Sequence, residues 1–428
     1  MERRLQVNFD MPTLDEWEQA LSLPRSIRVE SSPQLIQEVQ ERTAKKEAAR
    51  QKRGQAIPPR KGPLSEVAVF APEQQVQIIP AYMLLRLGLV TTPVVENLAD
   101  ISSTWAYFRY LWAFDIPTGG SNALRLSDAA RNIDFHQKGL LSDQIGVGIA
   151  AVLLDKYLNA PQAADVSVAV SDPFWPVDLQ YDTSPDYLFF DSSQTNLFIV
   201  ECKGTQGSRS TSLDQLRRGT EQVPSLVFTD GRTPQSLIVA TCLAKNDTTV
   251  LVLDPPADDD LPPSDRMHTE RIGQRSWRVR DDAGFSRSTR LISESKILSF
   301  AGDYEAATAK SERAQIRTRG RFRSLSPEPT FTENEFGRFR GVRQRLGVRD
   351  RFDVEVFQGV ETTVYEALLS DDPERTTAEM QVFARRSSEG GRDIEQKQPV
   401  RTATEKGSVV VRAAGSDGAL LEVRVSPR

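Results

Sequence analysis

The stretch TSPDYLFFDSSQTNLFIVECKGT, Thr183 to Thr205, reads as a β-hairpin built around charged residues. Tyr187, Leu188, Phe189 and Phe190 make one strand-like run, Asp191 to Asn196 a polar turn, and Leu197 to Val200 resume the strand. Apolar residues at consecutive positions mark a strand covered on both faces. Two acids and a lysine in that setting are costly, because a buried charge needs a partner or a metal. The period of two puts Glu201 and Lys203 on one face and Val200 and Cys202 on the other. Asp186 and Glu201 lie equally far from the turn midpoint between Ser193 and Gln194. Simple antiparallel pairing therefore sets them opposite each other, close enough to share a cation. A slip of one residue would send one of them to the wrong face.

Two carboxylates and a lysine around one point suit phosphodiester hydrolysis. Oxygen ligands hold Mg²⁺ (or Mn²⁺) with positions left open for water and phosphate. The metal activates a water, and the lysine offsets charge that develops on the phosphate. The same residues also fit an ordinary buried ion pair of Lys203 with Glu201 or Asp186.

Pro185-Asp186 followed by Glu201-Cys202-Lys203 resembles the signature of the PD-(D/E)xK nucleases, the restriction-endonuclease-like fold. The resemblance implies an α/β core with a mixed central sheet flanked by helices. It assigns metal binding to Asp186 and Glu201 with the Cys202 carbonyl, and assistance of the attack to Lys203. It implies DNA as partner, Mg²⁺ or Mn²⁺ as cofactor, and a setting in bacterial restriction or phage defence. In that family the helix before the sheet often brings a further acid, usually Glu; here Asp143 or Gln144 would stand in for it. The helix after the signature often carries a polar residue reaching the site, and Gln215 is the nearer candidate. A half-exposed glutamine at the rim of the core is the competing reading of Gln215. The alternative for the whole chain is a protein that retains this fold without activity and serves as a nucleic-acid-binding or assembly subunit.

Composition narrows the field. The chain of 428 residues is 39% hydrophobic and 26% charged, which fits a globular protein with a sizeable core. No apolar run approaches membrane-spanning length, and the start MERRLQVNFDMP has no signal-peptide core, so a cytoplasmic location is expected. Two cysteines, Cys202 and Cys242, lie in apolar runs and read as buried thiols. With only His136 and His268 besides, a structural zinc site and an HNH-type nuclease are disfavoured. The net charge of −5 makes the protein no basic coat for nucleic acid, so contact with phosphates would need a local basic surface.

Along the chain, residues 1–65 read as a peripheral helical arm. Lys45, Lys46, Arg50, Lys52 and Arg53 cluster at its end. They suit either a phosphate backbone or, as adopted here, a solvated helix and linker. Residues 66–135 are aromatic-rich, with a helix expected over Leu98–Phe114 whose rings pack rather than stack on bases.

The nuclease-like core is assigned to 136–315. Its first helix is expected from an N-cap at Ser142 to Leu158, with Gly146 and Gly148 allowing close packing; no strand precedes these glycines, which rejects a dinucleotide site. Val166–Val170 reads as a strand. A polar loop with Arg209 leads to a helix capped by Ser212, followed by strands over Ser236–Leu243 and Thr248–Leu253 and one helix over Leu291–Gln315.

Residues 316–351 read as an Arg-rich connector, in which Arg338, Arg340, Arg343 and Arg345 are candidates for nucleic acid, or else pair with nearby acids. Residues 352–428 read as a small β-rich domain, with strands at Asp353–Phe357, Glu379–Arg385, Ser408–Ala413 and Leu420–Val425 and a turn at Ser416-Asp417-Gly418. One hydrolytic site cuts one strand, which invites a homodimer or a defence-complex partner for duplex scission.

Overall fold

The structure is a computed structural model that describes residues 13–58, 63–93, 110–116, 121–191, 197–231, 234–255, 282–314, 327–348, 351–388 and 400–428. The hairpin forms the middle of a mixed sheet. Strands β5 (Tyr187–Phe190) and β6 (Leu197–Thr205) pair antiparallel with Tyr187 facing Val200 and Phe190 facing Leu197. Carried back by one residue, that register sets Asp186 across from Glu201, as hairpin symmetry requires. The turn residues 192–196 lie outside the described residues. β6 runs parallel to β8 (Gln235–Leu243), which pairs antiparallel with β9 (Thr248–Leu253). Beyond β9 the sheet continues through β1 (Arg25–Glu30) and β2 (Glu73–Ile78), and at its other edge β3 (Gln162–Asp165) pairs with β5. The order of the seven strands is β2-β1-β9-β8-β6-β5-β3.

Both faces of this sheet are covered, and consecutive residues divide between them. Ile199, Ile238 and Leu251 enter a core with helices α2 (Pro33–Lys52), α7 (Arg209–Gln222) and the first half of α8 (Asp282–Phe300). Their neighbours Val200, Val239 and Val252 enter the opposite core with α3 (Pro80–Thr91) and α5 (Phe135–Tyr157). Each such side chain removed from water stabilises the fold by about 1.5–3 kcal/mol, so the strand order is held from both sides. Glycines set the closest approach: a Cβ on Gly204 would stand 1.8 Å from the Ser142 carbonyl oxygen and one on Gly146 3.0 Å from the Lys203 carbonyl oxygen. Helix α5 therefore lies directly on the end of β6.

The second sheet is an antiparallel half-barrel in the order β10-β11-β12-β15-β14-β13. Its strands are β10 (Thr330–Asn334), β11 (Gly337–Val348), β12 (Phe352–Glu361), β13 (Val400–Glu405), β14 (Ser408–Ala414) and β15 (Ala419–Pro427). Val354, Val356, Val409, Val411, Val423 and Val425 share one apolar cluster with α3 and α5. Helix α1 (Leu14–Ser22) adds Trp17 to it. A buried guanidinium ties the two sheets together. Arg86 on α3 pairs with Asp417 at 3.0 Å, in the turn between β14 and β15, and with Asp155 on α5 at 3.7 Å. The boundary expected at residue 352 thus crosses a continuous core. Among the described residues no helix is long and apolar enough to cross a membrane.

Several local expectations need correction. The N-terminal segment is not peripheral, since β1 lies inside the sheet. Helix α5 begins at Phe135 behind an Asp134 cap, and Ser142 is a mid-helix residue whose hydroxyl donates to the Lys138 carbonyl at 2.6 Å. Residues Val166–Ser171 form a short helix, α6, rather than a strand; Val166 and Ala169 are its buried pair, at helical spacing. Helix α7 begins at Arg209 behind Ser208, not behind Ser212. Leu291–Gln315 is two helices, α8 and α9 (Tyr304–Arg313), because Gly302 turns the chain at φ 79° and Asp303 caps the second. The Arg-rich connector consists mainly of strands β10 and β11; its residues 316–326 and 349–350 lie outside the described set. Glu379–Arg385 lies in a helix, Pro373–Ser388, that buries Thr376, Phe383 and Ser387. The helix expected over Leu98–Phe114 falls mostly on undescribed residues; its end is packed, with Tyr110 and Phe114 buried and Trp112 edge-on to Trp17.

Candidate active site

Strand β6 delivers Glu201 to the face covered by α7, and Glu201 is 0% exposed. The helix can lie this close because position 219 is glycine: a Cβ there would stand 2.4 Å from Ile238 and 3.4 Å from the Glu201 side chain. Asp186, at the mouth of β5, is half-buried, and its Oδ2 accepts a hydrogen bond from the Cys202 N–H at 2.9 Å. Its carboxyl lies close enough to that of Glu201 for each to shift the other's pKa. Lys203, two residues along the same face, forms an ion pair with Glu201, and its side chain is 24% exposed. Beyond that ion pair, the two buried Glu201 oxygens accept no well-aligned hydrogen bond. The three side chains that the sequence singled out therefore converge, with Lys203 and Asp186 opening the cluster to solvent.

Burial and the neighbouring Asp186 push the Glu201 carboxyl up from 4.5 to about 8, against the opposing pull of Lys203. Asp186 is raised as well, chiefly by burial, with Lys203 and the Cys202 N–H working the other way. Burial disfavours the Lys203 ammonium, but Glu201 and Asp186 outweigh it and leave its pKa raised. A Glu201 carboxyl raised to about 8 favours its protonated form near neutral pH, beside a lysine whose ammonium is favoured. Two like charges this close cannot both ionise without help.

Asp143 comes from α5 to the same place. Its Oδ1 accepts from the Gly204 N–H at 3.3 Å, and its pKa is raised by burial and by Asp186, with Lys203 and the Gly204 N–H opposing. Gln144 instead accepts a hydrogen bond from the Tyr110 hydroxyl. Gln215 on α7 donates to the Gly204 carbonyl at 3.0 Å, while its Oε1 is buried and accepts no hydrogen bond. One helical face carries Gln215, Gly219 and Gln222, and Gln222 donates to the Ser184 carbonyl at 3.2 Å, just ahead of Asp186. The Cys202 thiol lies in the opposite core, and burial first, then the adjacent acids, push its pKa well up.

Sequence reasoning missed Asp165, at the end of β3. It raises the Asp186 pKa and pairs at 3.0 Å with Lys296, a buried lysine on α8. Only its place beside β5 marks it, and that follows from strand pairing the sequence leaves open.

The arginines assigned to nucleic acid lie elsewhere and are mostly engaged. Arg209 is held by Glu30 at 2.6 Å and Glu38 at 3.2 Å. On β11, Arg340 pairs with Asp303 at 2.9 Å, Arg343 with Glu355 at 2.7 Å, and Arg345 with Asp353. Arg338 is exposed and lies over the Phe331 ring.

Among the described residues no three His, Cys, Asp or Glu side chains gather as a ready metal cage. The donor set at the pair is two carboxylates, all hard oxygens. It suits a hard cation such as Mg²⁺ that keeps most of its waters. Compared with protein-family models, with curated proteins and with solved structures, the chain matches none.

Proposed function

We propose that this protein is a metal-dependent nuclease of restriction-endonuclease-like architecture that hydrolyses phosphodiester bonds of DNA, in bacterial restriction or phage defence. The observation that carries the reading is the meeting of Asp186, Glu201 and Lys203 in an otherwise apolar strand, where the buried Glu201 carboxylate finds only the Lys203 ammonium. A structural ion pair needs one acid for one lysine. The second acid raises the energy of the cluster unless a cation joins it.

Asp186 and Glu201 would hold Mg²⁺ or Mn²⁺, which polarises the phosphoryl oxygen and activates a water. The chain's own residues do the rest. Lys203, cationic and partly exposed, faces the developing charge on the phosphate and orients the attacking water. Asp186 is aimed by the Cys202 N–H. Gln215 fixes the Gly204 backbone at the end of β6 and offers its free oxygen to the site. Asp143 closes the rim from α5. The α7 cover keeps the base of the site dry, which strengthens each of these charges.

The competing reading is a protein that binds nucleic acid or assembles with partners without cutting, and the complete burial of Glu201 favours it. Incubation of double- and single-stranded DNA and RNA with Mg²⁺, Mn²⁺ or chelator separates the two. The nuclease reading expects cutting that needs the ion and vanishes in Glu201→Gln and Lys203→Ala while binding survives. Cutting by both variants at the wild-type rate would overturn the assignment of these residues. Absence of cutting with either ion on every substrate would favour the non-catalytic reading.

A further inference from the structure

On the outer side of α7, against α2, lies an open groove of about 550 Å³. Resting on the nuclease reading, we propose that this groove carries the phosphate backbone of the substrate DNA away from the carboxylate pair. Its walls bring together Arg42, Lys45 and Lys46 of α2 with Arg217 and Arg218 of α7. The acids that line it, Glu38, Glu41 and Asp214, are fewer. Two of these cations brace the walls: Arg42 is held by Asp214 at 2.8 Å and Arg217 by Glu221. Lys45, Lys46 and Arg218 are exposed, and no carboxylate among the described residues pairs with them. They contrast with Arg340, Arg343 and Arg345, whose charges are already answered by acids. Unanswered charge is what a phosphate backbone needs, because binding draws on release of its counterions.

The groove adjoins the candidate site through a single helix. The face of α7 that carries Gln215, Gly219 and Gln222 meets β6 and Ser184, and Arg218 stands next to Gly219 and one turn before Gln222. A helix is only about 10–12 Å across with its side chains, so a strand leaving the site over α7 reaches Arg218 and then the lysines of α2. The basic end of α2 therefore forms a wall of the binding surface.

The test is binding of fluorescein-labelled duplex DNA in chelator, followed by anisotropy across a salt series. Lys45→Gln, Lys46→Gln and Arg218→Gln together should flatten the slope of log K against log salt by about 2–3 and weaken binding at least about ten-fold at low salt. Glu41→Lys, on the same rim, should tighten binding, which a merely structural role for the groove would not produce. The triple variant should melt like the wild type, since all three side chains are exposed. Unchanged affinity and slope in the triple variant, with DNA bound by wild type, would overturn the proposal, as would a wild type that binds no DNA. The nuclease reading fails on a different readout, ion-dependent cutting by wild type, so the two failures are distinguishable.

Discussion

Replacing Glu201 with glutamine should make the ion-free protein more stable as pH rises. The Glu201 carboxyl is raised from its ordinary 4.5 to about 8 by burial and by Asp186. A carboxyl raised on folding stabilises the fold while it is protonated, below about 4.5. That contribution is lost as pH climbs through about 8, because the folded state must then ionise a group that the unfolded chain ionises freely. At about 1.4 kcal/mol per pKa unit the full span is about 5 kcal/mol, and relaxation or water entry would reduce it to about 2–5 kcal/mol. Glutamine keeps the shape and never ionises. In chelator the two proteins should match near about pH 5, with the variant ahead by a few kcal/mol near about pH 8.5. Excess Mg²⁺ should recover the wild type at the higher pH and leave the variant unmoved, since only the wild type offers both carboxylates. Urea midpoints at three pH values, with and without the ion, supply the comparison. Parallel pH profiles for the two proteins would refute the claim that Glu201 is a strained, proton-holding acid.

Other substitutions probe neighbouring parts of the argument. Gly219→Ala should lower stability by about 1–3 kcal/mol, because its Cβ would stand 2.4 Å from Ile238; chemical denaturation measures it, and a neutral result would show that α7 does not press on β8. Arg86→Met should cost about 3–5 kcal/mol by stranding buried carboxylates, those of Asp155 and Asp417; a wild-type melting curve would separate the half-barrel from the main core. Gln215→Ala should slow ion-dependent cutting with little change in DNA affinity, as expected of a residue that fixes the Gly204 backbone, and kcat and affinity measured together decide it.

The hairpin was legible because its two constraints are local. An apolar run fixes a buried strand, and equal spacing from a turn fixes which residues oppose, so Asp186, Glu201 and Lys203 could be brought together before any fold was known. Strands β8 and β9 and the packing glycines of α5 were legible for the same reason. What escaped depends on distant partners. Arg25–Glu30 is a polar-apolar alternation that becomes an inner strand only because β9 and β2 flank it. Val166–Ser171 alternates like a strand, yet it turns into helix once Asp165 ends the pairing with Tyr187. Glu379–Arg385 looks apolar enough for a strand, but Thr376, Phe383 and Ser387 bury at helical spacing. The arginines of β11 looked like a phosphate surface because their acids, Asp303, Asp353 and Glu355, come from other elements. Asp165 and Lys296 meet 131 residues apart in a way no local pattern announces.

The central claim is that the Asp186–Glu201 pair is a cation site, and calorimetric titration of Mn²⁺ into the wild type and into Asp186→Asn, at neutral pH in two buffers of different ionisation heat, tests it most directly. The account predicts a single class of site in the wild type, release of about one proton per ion as the Glu201 carboxyl ionises, and loss of both signals in the variant. Absence of binding, or binding of equal strength and proton count in the variant, would contradict it.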